Sequence, residues 1–261
     1  MSIQGTYLSA YQGKITNEAV GRMIGQGIRF VGLRLTQGKG YIDPTWEHNA
    51  AKLRDTSILL FPWHFATTDP ADKQRENFME QMEKFDRWRL PPGIDCEAYT
   101  SRIPSDTMAV RESVYGLAYP TEATIDAIGR WLTAWMAGQP ALKDYVYPTI
   151  YTNAGSGNVI FKTKSMKRYL LWVANWHSPN KPPLEKPNLP AVWAGIPWYI
   201  WQDLIIDGTP YGIKGQISRE WWGPLLPFPG DEPTPPPPPT DEIEMTLKQN
   251  GQIYTGKLET K

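Results

Sequence analysis

Residues 28–61 read IRFVGLRLTQGKGYIDPTWEHNAAKLRDTSILLF. The stretch opens on an apolar, β-leaning run over 28–35 and closes on a second one over 57–61, each short enough to be a buried strand. Between them, residues 44–54 carry a helical pattern. Strand, helix and strand in that order build a parallel sheet, because parallel neighbours need a crossover connection.

The alternation continues on both sides. Upstream, residues 6–9 form a short strand candidate, and residues 16–26 a helix with Thr16 as cap and Gly27 just past its end. Downstream, Asp69-Pro70 predicts a helix start with Asp as cap and Pro at the first helical position. Phe78, Met82 and Phe85 then share one face of that helix. Residues 93–97 are the next strand. Thr121 caps a further helix that turns Ile125, Ile128, Leu132 and Trp135 inward and stops at Gly138. Residues 146–151, 169–174, 198–202 and 215–217 read as four more strands. Eight strands with few helices among the later ones favour closure of this α/β chain into a flattened TIM-like β/α-barrel. In such barrels the chemistry sits at the C-terminal strand ends.

Composition narrows the function. The 261 residues carry 27 basic and 27 acidic side chains, and zero net charge argues against nucleic acid as a partner. No apolar run of 18 residues is present, so no membrane span is expected. The N-terminus lacks a basic region followed by an apolar stretch, so the chain is expected to be made in the cytoplasm without a cleavable signal. The single cysteine, Cys96, excludes an intrachain disulfide, and His48, His64 and His177 show no ligand spacing, so no metal or other cofactor is expected. Seven of the 12 tryptophans fall between Trp172 and Trp222. That density suits a carbohydrate-stacking cleft as well as core packing.

A proline run over 233–240 is a polyproline II spacer. It divides the chain into a barrel domain (1–228), a proline-rich linker (229–241) and a short tail (242–261). In the tail, Ile243, Met245 and Leu247 alternate with polar residues, and Asn250-Gly251 signals a type I′ hairpin. An isolated hairpin is barely stable, so the tail is either disordered or contacts another chain or module.

Asp95 and Glu97 stand two apart on a strand, so both carboxyls point to one side at its C-terminal end. Two such groups in a partly dry site cannot both ionise freely, which supplies an acid beside an anion. Glycoside hydrolysis uses that pairing, although a D-x-E read alone is also a solvated strand end. Other strand ends add aromatics and amides: Gln37, Trp63, His64, Tyr151, Trp172, Asn175 and Gln202. Together they read as a sugar-binding rim, with His64 also readable as a structural histidine.

Five blocks in order resemble the family-25 glycoside hydrolases, the Chalaropsis-type lysozymes of phages and bacteria. They are residues 5–13, residues 30–49, Trp63-His64-Phe65-Ala66, Ile94-Asp95-Cys96-Glu97, and the set Ile150-Tyr151-Thr152, Trp172-Val173-Ala174 and Trp201-Gln202. The resemblance implies a muramidase that cleaves the β-1,4 bond between N-acetylmuramic acid and N-acetylglucosamine in peptidoglycan. It also implies that Glu97 is the general acid and that Asp95 positions or charge-stabilises the substrate's own 2-acetamido nucleophile. It suggests a phage endolysin that acts on the cell wall after release, or a component of a phage particle.

Three positions that are acidic in the family pattern are neutral here: Tyr7, Gln37 and Ser218. All three are expected to line the substrate site. Fewer negative neighbours should lower the pKa of Glu97, so activity is open to question. The alternative is a catalytically impaired glycan-binding or structural module of a phage particle, or a hydrolase of a related amino-sugar glycan. The long connection over 98–119 is a candidate lid.

Overall fold

The computed structural model describes residues 3–98, 118–176, 185–226 and 228–229, together with the strand pair 245–249 and 252–256. The connection over 99–117, the proline linker and the Asn250-Gly251 turn lie outside the described residues.

Eight strands close into a barrel. They are β1 (Gln4–Leu8), β2 (Ile28–Gln37), β4 (Leu59–Phe65), β5 (Gly93–Asp95), β6 (Thr149–Asn153), β7 (Leu170–Ala174), β8 (Ile200–Asp207) and β9 (Gln216–Trp222). The sheet order is β1-β9-β8-β7-β6-β5-β4-β2, and pairing of β1 with β2 shuts the ring. A two-residue strand, β3 (Tyr41–Ile42), folds back on the end of β2. Seven barrel strands run parallel. β9 is antiparallel to both β8 and β1. A separate antiparallel pair, β10 (Met245–Gln249) and β11 (Gln252–Gly256), forms in the tail.

Among the described residues there are five α-helices: α1 (Asn17–Gly25), α2 (Trp46–Leu53), α3 (Ala71–Met82), α4 (Glu122–Ala137) and α5 (Ala154–Ile160). None is long and apolar enough to cross a membrane. Thr16 and Thr121 cap α1 and α4 through their hydroxyls, as their sequences predict. The start of α3 differs from expectation. Pro70 takes the cap position, and the Asp69 carboxylate instead accepts from the Lys39 N–H at 3.1 Å and the Thr67 hydroxyl at 2.9 Å. Asp69 therefore ties the β2–β3 turn to the loop after β4 rather than capping the helix. Phe85 lies beyond the end of α3 yet is still buried.

Strand alternation divides the side chains into two cores. Phe30, Phe61, Trp63, Tyr151, Leu170, Trp172 and Ile200 fill the barrel. Val31, Leu33, Leu60, Ile94, Cys96, Ile150, Leu171, Val173 and Trp201 face outward beneath helices and loops. The interior is so full of rings that a Cβ on Gly32 would sit 2.5 Å from Phe61, and one on Gly5 would sit 2.3 Å from Phe30. Glycine is required at both by close approach of an aromatic ring.

His64 belongs to the outer core. It stands between Trp63 and Phe65, which face in, so it must face out. Its ring is fully buried, 5.3 Å from that of Phe78 on α3. Nε2–H donates to Gln74 Oε1 at 3.1 Å, which leaves Nδ1 to accept from the Thr36 hydroxyl at 2.7 Å. The neutral imidazole thus satisfies both nitrogens. Burial pushes its pKa down from 6.5 to about 4. The unfolded chain takes up this proton first, so the stabilising contribution is complete above pH 6.5 and is lost as pH falls towards 4. At one pKa unit per 1.36 kcal/mol the loss is on the order of 3 kcal/mol. Urea denaturation at pH 7 and pH 4.5 should therefore show a steeper acid loss in wild type than in His64→Gln. Equal losses would mean that His64 is not held neutral.

Candidate active site

β5 is short, and its chain continues outward as Cys96-Glu97. Asp95 ends β5 and pairs with Phe65 at the end of β4 and with Tyr151 in the middle of β6. Cys96 turns out into the outer core. Asp95 and Glu97 therefore both turn in, at the barrel mouth. Asp95 is 6% exposed, and its Oδ1 has no hydrogen-bond partner among the described residues. Glu97 is half-buried.

Burial raises both carboxyls. For Asp95 burial is the largest cause, the neighbouring Glu97 charge adds to it, and the Arg34 guanidinium opposes it. For Glu97 burial again leads, and a hydrogen bond from Asn153 opposes it. The pair therefore retains one proton well above the usual carboxylate range, as two titrations that belong to both groups. The lowering of Glu97 expected for want of acidic neighbours is opposed by this burial, the largest cause of its shift. The packed aromatic interior beneath the pair raises it without them.

Asn153 has two tasks. Its Oδ1 accepts the Ser156 N–H at 2.8 Å and caps α5. That bond turns Nδ2 towards Glu97, where it donates to Oε1 at 3.2 Å. The helix start thus orients the amide for the site. Asn153 ends β6, and only the helix that starts directly behind it gives the amide this role.

Six of the proposed rim residues come together. Tyr7 lies edge-on to Trp63 and Trp172, with ring centroids at 5.6 and 6.1 Å. Burial and the charges of Glu220, Asp95 and Glu97 raise its pKa and keep it a neutral phenol. The Tyr151 hydroxyl donates to Gln202 Oε1 at 2.8 Å. Ser218 Oγ accepts the Tyr7 N–H at 3.3 Å. Trp63, Tyr151 and Trp172 are buried at 5%, 5% and 2% exposure, so they form the floor beneath the carboxyl pair rather than an open stacking surface. Gln37 ends β2 opposite Phe65. Asn175 is occupied by its own loop: its Oδ1 accepts the Asn188 N–H at 2.6 Å, and its carbonyl accepts from Trp201 Nε1. His64 does not join them.

The structure adds three residues. Arg34 places its guanidinium 5.7 Å above the Trp63 ring and bonds Asp43 at 3.1 Å. Trp176, 58% exposed, donates its N–H to Gln202 Oε1 at 2.6 Å. Glu220, fully buried, accepts from Trp172 Nε1 at 2.8 Å and Gln202 Nε2 at 3.1 Å. Burial pushes Glu220 up to about 7 against the hydrogen bonds it receives. Counting two residues on from Ser218 along the same inward face would have found it.

The family model for glycosyl hydrolases family 25 matches residues 7–203. The chain belongs to this family. The matched span contains the carboxyl pair and ends before β9, so Ser218 and Glu220 lie outside it. Among solved structures, a bacterial lysozyme from Streptomyces coelicolor is similar, at 23% identity and a TM-score of 0.60, over 85% of this chain and 92% of that one. A family 25 glycosyl hydrolase from Bacillus anthracis aligns at 18% identity and a TM-score of 0.56, over 84% and 88%. The modular autolysin LytC from Streptococcus pneumoniae aligns at 17% identity and a TM-score of 0.57, over 85% of this chain and 46% of its own. At these identities the likeness shows the shared barrel. No match is found among curated proteins.

The geometry makes Asn153 separable from the carboxyl pair in this family 25 chain. Asn153→Ser keeps a helix cap and withdraws the donor from Glu97. Losing a bond to the charged form raises the pKa of Glu97. The alkaline limb of the pH–activity profile should move to higher pH, with thermal stability near that of wild type. An unmoved limb would show that Asn153 acts only as a cap.

Proposed function

We propose that this chain is a peptidoglycan muramidase hydrolysing the β-1,4 bond between N-acetylmuramic acid and N-acetylglucosamine. The observation that carries this reading is the buried pair Asp95 and Glu97, which shares a proton at the mouth of a family 25 barrel. Glu97, half-buried and held by Asn153, is the general acid for the leaving oxygen. Asp95 lies deeper and takes the anion's part, which the Arg34 guanidinium favours against the rise that burial causes. Its free Oδ1 suits the N–H of a 2-acetamido group whose carbonyl oxygen attacks the anomeric carbon as the glycosidic bond breaks. Water then opens the resulting oxazoline, giving its proton to the Glu97 carboxylate. Substrate-assisted hydrolysis of this kind needs no protein nucleophile.

The names of the structural relatives support the same substrate: they include a lysozyme and an autolysin. The site of action is then the cell wall, reached after release from the cytoplasm or from a phage particle. Exposed Trp176 and the amides of Gln37 and Asn153 supply polar and stacking contacts around the pair.

Release of reducing ends from purified peptidoglycan between pH 4 and 8 tests the reading. Wild type should give a bell-shaped profile, because only the singly protonated pair is active. Glu97→Gln should reduce the rate by about 10²–10⁴-fold. A folded wild type that releases nothing at any pH would overturn hydrolysis and leave a glycan-binding module.

A further inference from the structure

The inward face of β9 carries a carboxyl that the hydrolytic chemistry does not use. Glu220 is 0% exposed, and its two oxygens receive two different donors. Trp172 Nε1 donates to Oε2 at 2.8 Å, and Gln202 Nε2 donates to Oε1 at 3.1 Å. Ser218, two residues back on the same strand face, donates as well. Gln202 turns its NH₂ to Glu220, the orientation favoured by an ionised carboxyl, which only accepts hydrogen bonds.

The orientation of Gln202 has a consequence on its other side. Oε1 is turned away from Glu220 and accepts from the Tyr151 hydroxyl at 2.8 Å and the Trp176 indole at 2.6 Å. Both lone pairs of the amide oxygen are then used. A flipped amide would set its NH₂ against two donors and its oxygen against a carboxylate. Trp176 is 58% exposed, so its N–H is anchored to a buried atom while its ring faces stay open. A pinned indole with free faces is what the C–H surface of a pyranose packs on.

We propose that Glu220 is a positioning residue for glycan binding: by orienting the Gln202 amide it holds the exposed Trp176 ring, with the Tyr151 hydroxyl, as one wall of the sugar site. The sugar part of this proposal rests on the muramidase reading. Glu220 touches no reacting atom. Tyr7, which also hydrogen-bonds Gln202, belongs to the same assembly.

Glu220→Gln tests it, because the shape is kept while one acceptor becomes a donor. Trp176 is read alone by subtracting the emission of a matching Trp176→Phe protein. Acrylamide quenching of Trp176 should rise at least about twofold in Glu220→Gln, because its acceptor has turned away. In a Glu97→Gln background, which removes turnover, the Kd for a soluble tetrasaccharide of alternating N-acetylglucosamine and N-acetylmuramic acid should rise at least about tenfold, the scale of losing a buried polar contact. In a Gln202→Met background, Glu220→Gln should add less than about twofold to either readout, since residues that act through one another are not additive.

Unchanged quenching and Kd in a folded Glu220→Gln protein would overturn the proposal, as would effects that multiply in the double variant. Should Glu220→Gln fail to fold, Gln202→Met alone must release Trp176, and an unchanged Trp176 there overturns it equally. A parent protein that neither binds the tetrasaccharide nor releases reducing ends overturns the muramidase reading. The quenching result then decides by itself whether Glu220 sets Trp176.

Discussion

The indole of Trp172 occupies the middle of the barrel, and most of the site depends on where it sits. Its ring meets those of Phe61, Tyr151, Tyr7 and Trp63, at 5.3, 4.6, 6.1 and 6.4 Å. A buried N–H without an acceptor costs about 1–3 kcal/mol, and the interior supplies one in Glu220. A buried carboxyl needs donors in turn, and Gln202 and Ser218 provide them. Trp172, Glu220 and Gln202 thus satisfy one another in turn, and the chain of hydrogen bonds ends at the solvent-facing Trp176.

The same packing sets the electrostatics of the mouth. Rings filled in below Asp95 and Glu97 exclude water from one side of the pair, and desolvation is the largest cause raising both. Neutral residues at Tyr7, Gln37 and Ser218 therefore leave the proton-holding capacity of the pair in place. Tyr7 contributes to that desolvation by its bulk. Arg34 and Asn153 then bias the two members separately, one through charge near Asp95 and one through a hydrogen bond to Glu97.

Two buried titrations oppose one another across the molecule. His64 in the outer core favours the folded state at higher pH, because burial keeps it neutral. Glu220 in the inner core, raised to about 7, favours it at lower pH, because the unfolded chain ionises first. Their effects partly cancel between pH 4.5 and 6.5, so the two together contribute a flatter dependence on pH than either residue alone.

The sequence by itself determined what depends on local chemistry. Eight strand segments, the threonine caps of α1 and α4, the outward burial of Cys96 and the shared face of Asp95 and Glu97 all follow from period-two alternation and capping, which neighbouring residues decide. The alternation that pairs Asp95 with Glu97 also separates His64 from Trp63, so that histidine could have been removed from the rim before any fold was known. Tertiary structure decided the rest, because those features depend on which strands meet. β9 runs antiparallel between β8 and β1, and only that insertion brings Glu220 beside Gln202 and Trp172, 18 and 48 residues away in the chain. Whether Asp69 caps a helix or ties a turn, and whether an aromatic at a strand end is floor or wall, likewise depended on partners that closure of the barrel supplies.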